Sequence, residues 1–449
     1  MSLTAIEQYM LELINRARLN PAAEAERFGL PLNAGLERSM ISTSAKGVLA
    51  PNATLETSAE QHSMWMLSND IFSHTGKGGS SPGNRMLDAG YEFTGHWSWR
   101  ENLAWSGTTG TLDLQTAADA HHEGLYRSEG HRANTFATDI KEVGLAQIEG
   151  KFKNDGMTYN ASMLTLNFAA SGTDQFLTGV AFNDKDGDGF YDIGEGFGGL
   201  VILVDESSSN ATSAGGYSVG ADPKTRAQVE LRTTTGPIAK LEVDLSQENA
   251  KLDYVIAPSG SKWVYVSQGA ELISGIPNAK LLGVANLDLM GSDAGNRLIG
   301  NSGRNKLVGG EGDNVLKGGE GRDQTWHVKN GVSNADILIG GGGDDRLYGQ
   351  SSSDTLQGGA GDDYLFGRGG RDTFIFDSGS DIVEDFDPYV DRLVIDGSRL
   401  GIGPLDAKEL STLATNTSNE ISFDFRVGNH LTLNDISGLD SLIGSVSFA

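Results

Sequence analysis

Three patterns of apolar and polar positions follow one another along the chain. In residues 1 to about 170 apolar residues recur at helical spacing. Ile6, Met10, Leu13, Ile14 and Ala17 form one stripe of the opening segment, and Leu55, Ala59, His62 and Met66 fall at i, i+4, i+7 and i+11 of a second helix. From about 172 the helical period stops. Residues 176–258 show short alternating runs, FLTGVAF, GLVILV, GGYSVG, AQVELRT and AKLEVDL, separated by Gly, Ser and Pro, which predicts a small β-sandwich. From Gly291 glycine dominates and the period becomes nine.

The nine-residue windows start at Gly291, Gly300, Gly309 and Gly318, are interrupted by HVKN, and resume at Gly331, Gly340, Gly349, Gly358 and Gly367. Glycines favour positions 1, 2 and 4, an acid or amide holds position 6 and an apolar residue position 8, the unit of a parallel β-helix. Glycine permits left-handed turns, and position 8 points inward as a core one residue wide: Leu298, Leu307, Leu316, Thr325, Leu338, Leu347, Leu356, Leu365 and Phe374. So thin a core does not offset the ordering entropy of the chain, at about 1–2 kcal/mol per residue of backbone. Bound Ca²⁺ is expected to supply the difference, and the segment to be disordered without it. The position-6 ligands are Asn296, Asn305 and Asn314, then Asp323, Asp336, Asp345, Asp354, Asp363 and Asp372. Because amides coordinate without neutralising the ion, the C-terminal sites are expected to be tighter.

A second calcium signal lies in the middle region. In FNDKDGDGFYDIGE, Asp184, Asp186, Asp188, Gly189, Asp192 and Glu195 occupy positions 1, 3, 5, 6, 9 and 12, the ligand spacing of an EF-hand loop. The flanking FLTGVAF and GLVILV read as strands, so the loop is expected to join two strands.

Charge and composition agree with cation binding. Sixty acidic against 34 basic residues give a net charge of −26, which argues against a nucleic-acid partner. There are no cysteines, so disulfides and thiolate metal sites are excluded. No apolar run approaches a membrane span, and the opening MSLTAIEQYMLELINRARLN lacks the pattern of a cleavable signal peptide. The acidic tail from Phe376 holds 13 acidic and 4 basic residues and ends in SLIGSVSFA.

The nine-residue stretch resembles the RTX (hemolysin-type) calcium-binding β-roll, a right-handed parallel roll. The SDIVEDF…DRLVIDGS stretch is similar to an RTX capping segment. The resemblance implies secretion through a type I machinery and folding outside the cell in extracellular calcium.

In the first region LELINRARLNP, FSHTGKGGSSPGNRM, RENLAW and HHEGLYRSEGHRAN together resemble a bacterial CAP (SCP, PR-1-like) domain, which implies an α/β fold, an α-β-α sandwich. By motif position the resemblance assigns a cavity to His62, Glu101 and His131, with His122 or Glu123 as a further ligand. His74 is assigned to the structure of its loop. Ser128, Arg100 and Glu129 stand where the family pattern has Glu, Gly and Pro. Two imidazoles and a carboxylate suit Zn²⁺ with an open position, so two readings stand. In one the domain binds a cell-surface, lipid or peptidoglycan ligand. In the other it is a zinc hydrolase acting on peptide or peptidoglycan. Ser63 next to His62 is not the geometry of a triad, and no serine lies in a GxSxG context. The 176–205 stretch resembles the calcium loop of SdrD B-like and Cna-B-like modules of bacterial surface proteins.

The expected layout is a multidomain secreted protein: a CAP-like domain over 1–171, a β-sandwich over 172–258, a connector over 259–290, the β-roll over 291–375, and a capping segment with the export signal over 376–449.

Overall fold

A computed structural model describes residues 3–36, 41–310, 312–326, 335–417, 419–425, 428–436, 438–442 and 444–449. The HVKN interruption and the first four residues of the window from Gly331 lie outside the described residues. The chain divides into two compact units: Met1–Ala239 with Val243–Ser267, and Lys240–Glu242 with Gln268–Ala449.

The first unit begins with α1 (Ala5–Leu19), started by a capping box in which the Thr4 hydroxyl accepts from the Glu7 N–H and Glu7 accepts from the Thr4 N–H. There follow α2 (Pro21–Arg27), β1 (Ala50–Pro51), α3 (Ala53–Asn69), α4 (Pro82–Asp88), β2 (Ser98–Thr108), α5 (Leu114–Arg127), α6 (Glu129–Thr135), β3 (Glu142–Asn154) and β4 (Met157–Ala170). The strands order as β1-β3-β4-β2, antiparallel except for the β1–β3 pair.

Alternation along β4 divides the layers. Met163, Thr165 and Asn167 meet α3 through Met66, Ser63 and Ser58, whereas Ser162 and Leu166 meet α5 and α1 on the other face. The result is an α-β-α sandwich. The helix lies so close to the sheet that a Cβ on Gly144 would stand 1.9 Å from the Leu55 carbonyl carbon.

The expected stripe of α1 is buried at Met10, Leu13, Ile14 and Ala17, all at most 2% exposed, and half-buried at Ile6. Its polar side is buried too, at Gln8, Glu12, Asn15 and Arg18. The amphipathic pattern does not foretell this: Asn15 bonds Leu49 and Arg18 the carbonyls of Gly47, Thr135 and Ala137 within the first region, whereas Gln8 and Glu12 face the middle region.

There β5 (Gln175–Asn183), β6 (Val201–Val204), β7 (Ser207–Asn210), β8 (Gly216–Ala221), β9 (Ala227–Thr233), β10 (Gly236–Val243), β11 (Ala250–Ile256) and β12 (Lys262–Val266) succeed one another. β12-β11-β5-β8 form one run of paired strands and β9-β6-β7 another. β11 and β8 pack against α1, β8 so closely that a Cβ on Gly216 would stand 1.8 Å from Gln8 Oε1. The Lys251 ammonium lies 2.8 Å from Glu12 and is also bonded to Asp253, and all three side chains are buried.

The second unit is a parallel β-solenoid. One sheet stacks Ala270–Ser274, Asp288–Met290, Lys306–Val308, Gln324–Trp326, Arg346–Tyr348, Tyr364–Phe366 and Ser380–Val383, each parallel to the next. The other stacks Asn278–Leu281, Arg297–Ile299, Val315–Gly319, Ile337–Gly342, Thr355–Ala360, Thr373–Phe376 and Arg392–Ile395 in the same way. Position 8 of each window points inward as expected: Leu298, Leu307, Leu316, Leu338, Leu347 and Leu356 are fully buried. Residues 270–290, read as connector, already supply rungs. Position 2 takes a positive φ in some windows: Gly341 and Gly359 sit at +120° and +106°, and Arg368 carries the same position at +69°, whereas Ser292, Asn301 and Gln350 hold it without one.

Candidate calcium ladder and polar cluster

The position-6 side chains form two ladders inside the turns of the roll, one for each set of alternate windows. The N–H of each donates to the Oδ1 of the position-6 residue two windows on: Asn305 to Asp323 at 2.7 Å, Asp323 to Asp345 at 2.6 Å, Asp345 to Asp363 at 2.8 Å and Asp354 to Asp372 at 2.8 Å. Asn296 to Asn314, Asn314 to Asp336 and Asp336 to Asp354 repeat the bond. This use of one oxygen follows from the eighteen-residue stacking and was not foreseen from the sequence.

The second oxygen varies, and that of Asp354 accepts from the Gln350 N–H at 2.9 Å. Oδ2 of Asp323, Asp345 and Asp363 is buried and accepts no hydrogen bond, a costly state for a carboxylate. Each faces the first glycine of its own window, and a Cβ on Gly318, Gly340 or Gly358 would stand 2.4, 2.3 or 2.3 Å from it. Burial pushes these carboxyls up, to about 6 for Asp323, about 8 for Asp345, about 6 for Asp363 and about 7 for Asp372. Rows of desolvated oxygen ligands beside side-chain-free backbone fit a hard cation such as Ca²⁺, which would neutralise them.

The ladders also run past residue 375. Asp363 donates to Asp381 and Asp372 to Asp391, both buried, and burial raises Asp381 to about 9. The signal was in the sequence: in FDSGSDIVE, Gly379, Asp381 and Val383 keep positions 4, 6 and 8 after the other glycines have gone.

The 184–195 loop joins β5 to β6, two strands as expected. Asp184 and Glu195 are buried. Asp184 accepts from Gly187 and Gly189, and Glu195 accepts from Lys185 at 2.7 Å and Asp192 at 3.0 Å. Among the described residues, Asp184, Asp186 and Asp188 are the one set of three His, Asp or Glu groups whose ligand atoms lie within 4.8 Å of one another. Asp192 and Glu195 stand outside that set. Burial, then Asp188 and Glu195, raises the carboxyl of Asp192.

The polar cluster of the first unit differs from the expected one. Glu101, on β2 and 5% exposed, is bound on one oxygen by His74 Nδ1 at 2.8 Å and on the other by the Arg85 guanidinium. His131 lies beside His74 with ring centroids 6.3 Å apart. Burial lowers the pKa of His131 and of His62. His62 is fully buried, its Nε2 donating to the Ser73 carbonyl at 2.9 Å while Nδ1 has no partner.

His74, read as a loop residue, is thus the histidine that holds Glu101. His122 bonds Glu24 at 2.8 Å, in a separate ion pair with Arg16. The zinc set His62, Glu101 and His131 is not assembled. An arginine bonded to the one carboxylate both occupies its lone pairs and repels a dication.

The model of the cysteine-rich secretory protein (CAP) family matches residues 11–163, the span of the α-β-α sandwich. That span is a CAP domain. The model of the RTX calcium-binding nonapeptide repeat matches 290–324, 330–353 and 348–383, so the roll consists of RTX repeats carried by the same chain as the CAP domain. These matches leave residues 164–289 uncovered.

Solved structures similar to this chain include an extracellular protein containing an SCP domain from Bacillus anthracis, 22% identical with a TM-score of 0.22, over 36% of this chain and 39% of that one. An outer surface protein of Borrelia burgdorferi is 21% identical with a TM-score of 0.21, over 28% and 78%. The chain therefore spans about two fifths of the Bacillus anthracis protein. No curated protein matches it. Among the described residues no helix is long and apolar enough to cross a membrane.

Proposed function

We propose that this is an extracellular calcium-dependent protein in which a CAP domain is presented by a roll that folds on binding Ca²⁺. The unpartnered buried oxygens of Asp323, Asp345 and Asp363 carry the reading. They make the calcium-free roll unfavourable and give the cation its ligands, together with the other position-6 residues from Asn296 to Asp372. Low calcium inside a cell then leaves the repeats open for export by a type I machinery, and calcium outside drives folding by mass action.

The 184–195 loop is a second calcium site, in a β module that stands on the CAP domain. Phe190 of the loop packs edge-on to Tyr9 at 6.2 Å and under the Arg16 guanidinium at 5.1 Å, both on α1. Calcium there stiffens the seat of the CAP domain. The CAP domain itself binds a ligand at the Glu101–His74–His131 cluster, and a cell-surface, lipid or peptidoglycan component is the class in view.

Circular dichroism of the full chain across a titration from EGTA into calcium tests the central claim. The β-structure contributed by residues 291–375 is expected to be gained only above submillimolar Ca²⁺, on top of the signal of the strands before it. An identical spectrum at both ends would sink it.

A further inference from the structure

Four consecutive strands on one face of the roll have a composition unlike the rest of this acidic chain, and the strand before them brings Asp288 beside Lys306. In the strands Lys306–Val308, Gln324–Trp326, Arg346–Tyr348 and Tyr364–Phe366 the middle residue is buried and the two flanking residues point outward. None of those outward residues is acidic and four are aromatic.

The rings line up across the strands. Trp326 meets Tyr348 at 6.3 Å, and Tyr348 stacks on Phe366 at 5.1 Å. Three cations sit on rings of this stripe: Lys306 over Trp326 at 4.6 Å, Arg368 over Tyr348 at 5.7 Å and Arg346 over Tyr364 at 5.2 Å. Arg346 and Arg368 are exposed.

We propose that this aromatic and cationic stripe is a docking surface for an acidic polysaccharide. Parallel strands set its rows about 4.8 Å apart along a rigid, straight lattice, which suits an extended polymer rather than a compact ligand. Aromatic rings offer C–H contacts to sugar rings, and the cations complement carboxylates. Seating each cation on a ring fixes it in advance, so less side-chain entropy is lost on binding. A stripe of half-buried rings has no apolar depth with which to enter a bilayer.

The test uses the full chain in saturating calcium with a hyaluronan octasaccharide, a uronate polymer, read by calorimetry. Binding that weakens with added salt is expected, and at least tenfold weaker binding for Arg346→Gln with Arg368→Gln. A calcium transition unchanged by these exposed substitutions shows that the roll is intact. Retained affinity in the double variant overturns the proposal. So does the absence of heat at millimolar oligosaccharide, or binding of phosphatidylserine vesicles in preference to it.

Discussion

The N–H of Asp345 donates to the Oδ1 of Asp363, eighteen residues on, while the Oδ2 of both residues stays buried without a partner. One carboxylate thus has two tasks. One oxygen holds the register of successive turns and the other is left for a cation.

The two tasks separate by mutation. Asp345→Asn keeps a carbonyl oxygen for the Asp323 N–H, as Asn314 does for Asn296, but removes the charge. Asp345→Ala removes both and leaves that N–H unsatisfied, at a cost of about 1–3 kcal/mol. The calcium midpoint of folding, followed by circular dichroism, is expected to rise for Asn and to rise further for Ala, with the Ala variant also melting lower in saturating calcium. Equal melting of the two variants would show that the ladder bond contributes nothing.

Lys251→Met leaves Glu12 and Asp253 facing each other in a buried site. Removing one member of a buried ionic group costs about 3–5 kcal/mol, so urea unfolding of the first unit in calcium is expected to shift by that amount. Adding Glu12→Gln and Asp253→Asn removes the uncompensated charge and is expected to recover most of the loss. No recovery would place the cost in packing and not in charge.

His121 is 2% exposed and bonds Ser162 Oγ at 3.0 Å. Burial lowers its pKa to about 4. The folded state holds it neutral while the unfolded chain protonates it below about 6.5, so its stability contribution is complete above that pH and is lost as pH falls toward 4. The loss is at most about 3 kcal/mol. Urea unfolding followed by tryptophan fluorescence is expected to fall more between pH 7 and 5 for the native chain than for His121→Gln. Parallel curves would refute the assignment.

What the sequence determined by itself is whatever repeats at short range. The period of nine, the leucines at position 8 and the acids at position 6 are legible because each turn of the roll meets only its neighbours, so one local rule recurs. The loop from Asp184 to Glu195 is legible for the same reason. The helical stripe of α1 was also plain, but its buried polar side was not. Glu12 finds Lys251 only once the β module has folded against the helix, and periodicity carries no information about so distant a partner.

The polar cluster shows the same limit. Helix spacing put His62 on a buried face, and it is there, yet the histidine that reaches Glu101 comes from the loop after the helix, alongside an arginine from α4. Which side chains meet at a site drawn from a strand, a loop and a helix was decided by the three-layer packing that brings those elements together.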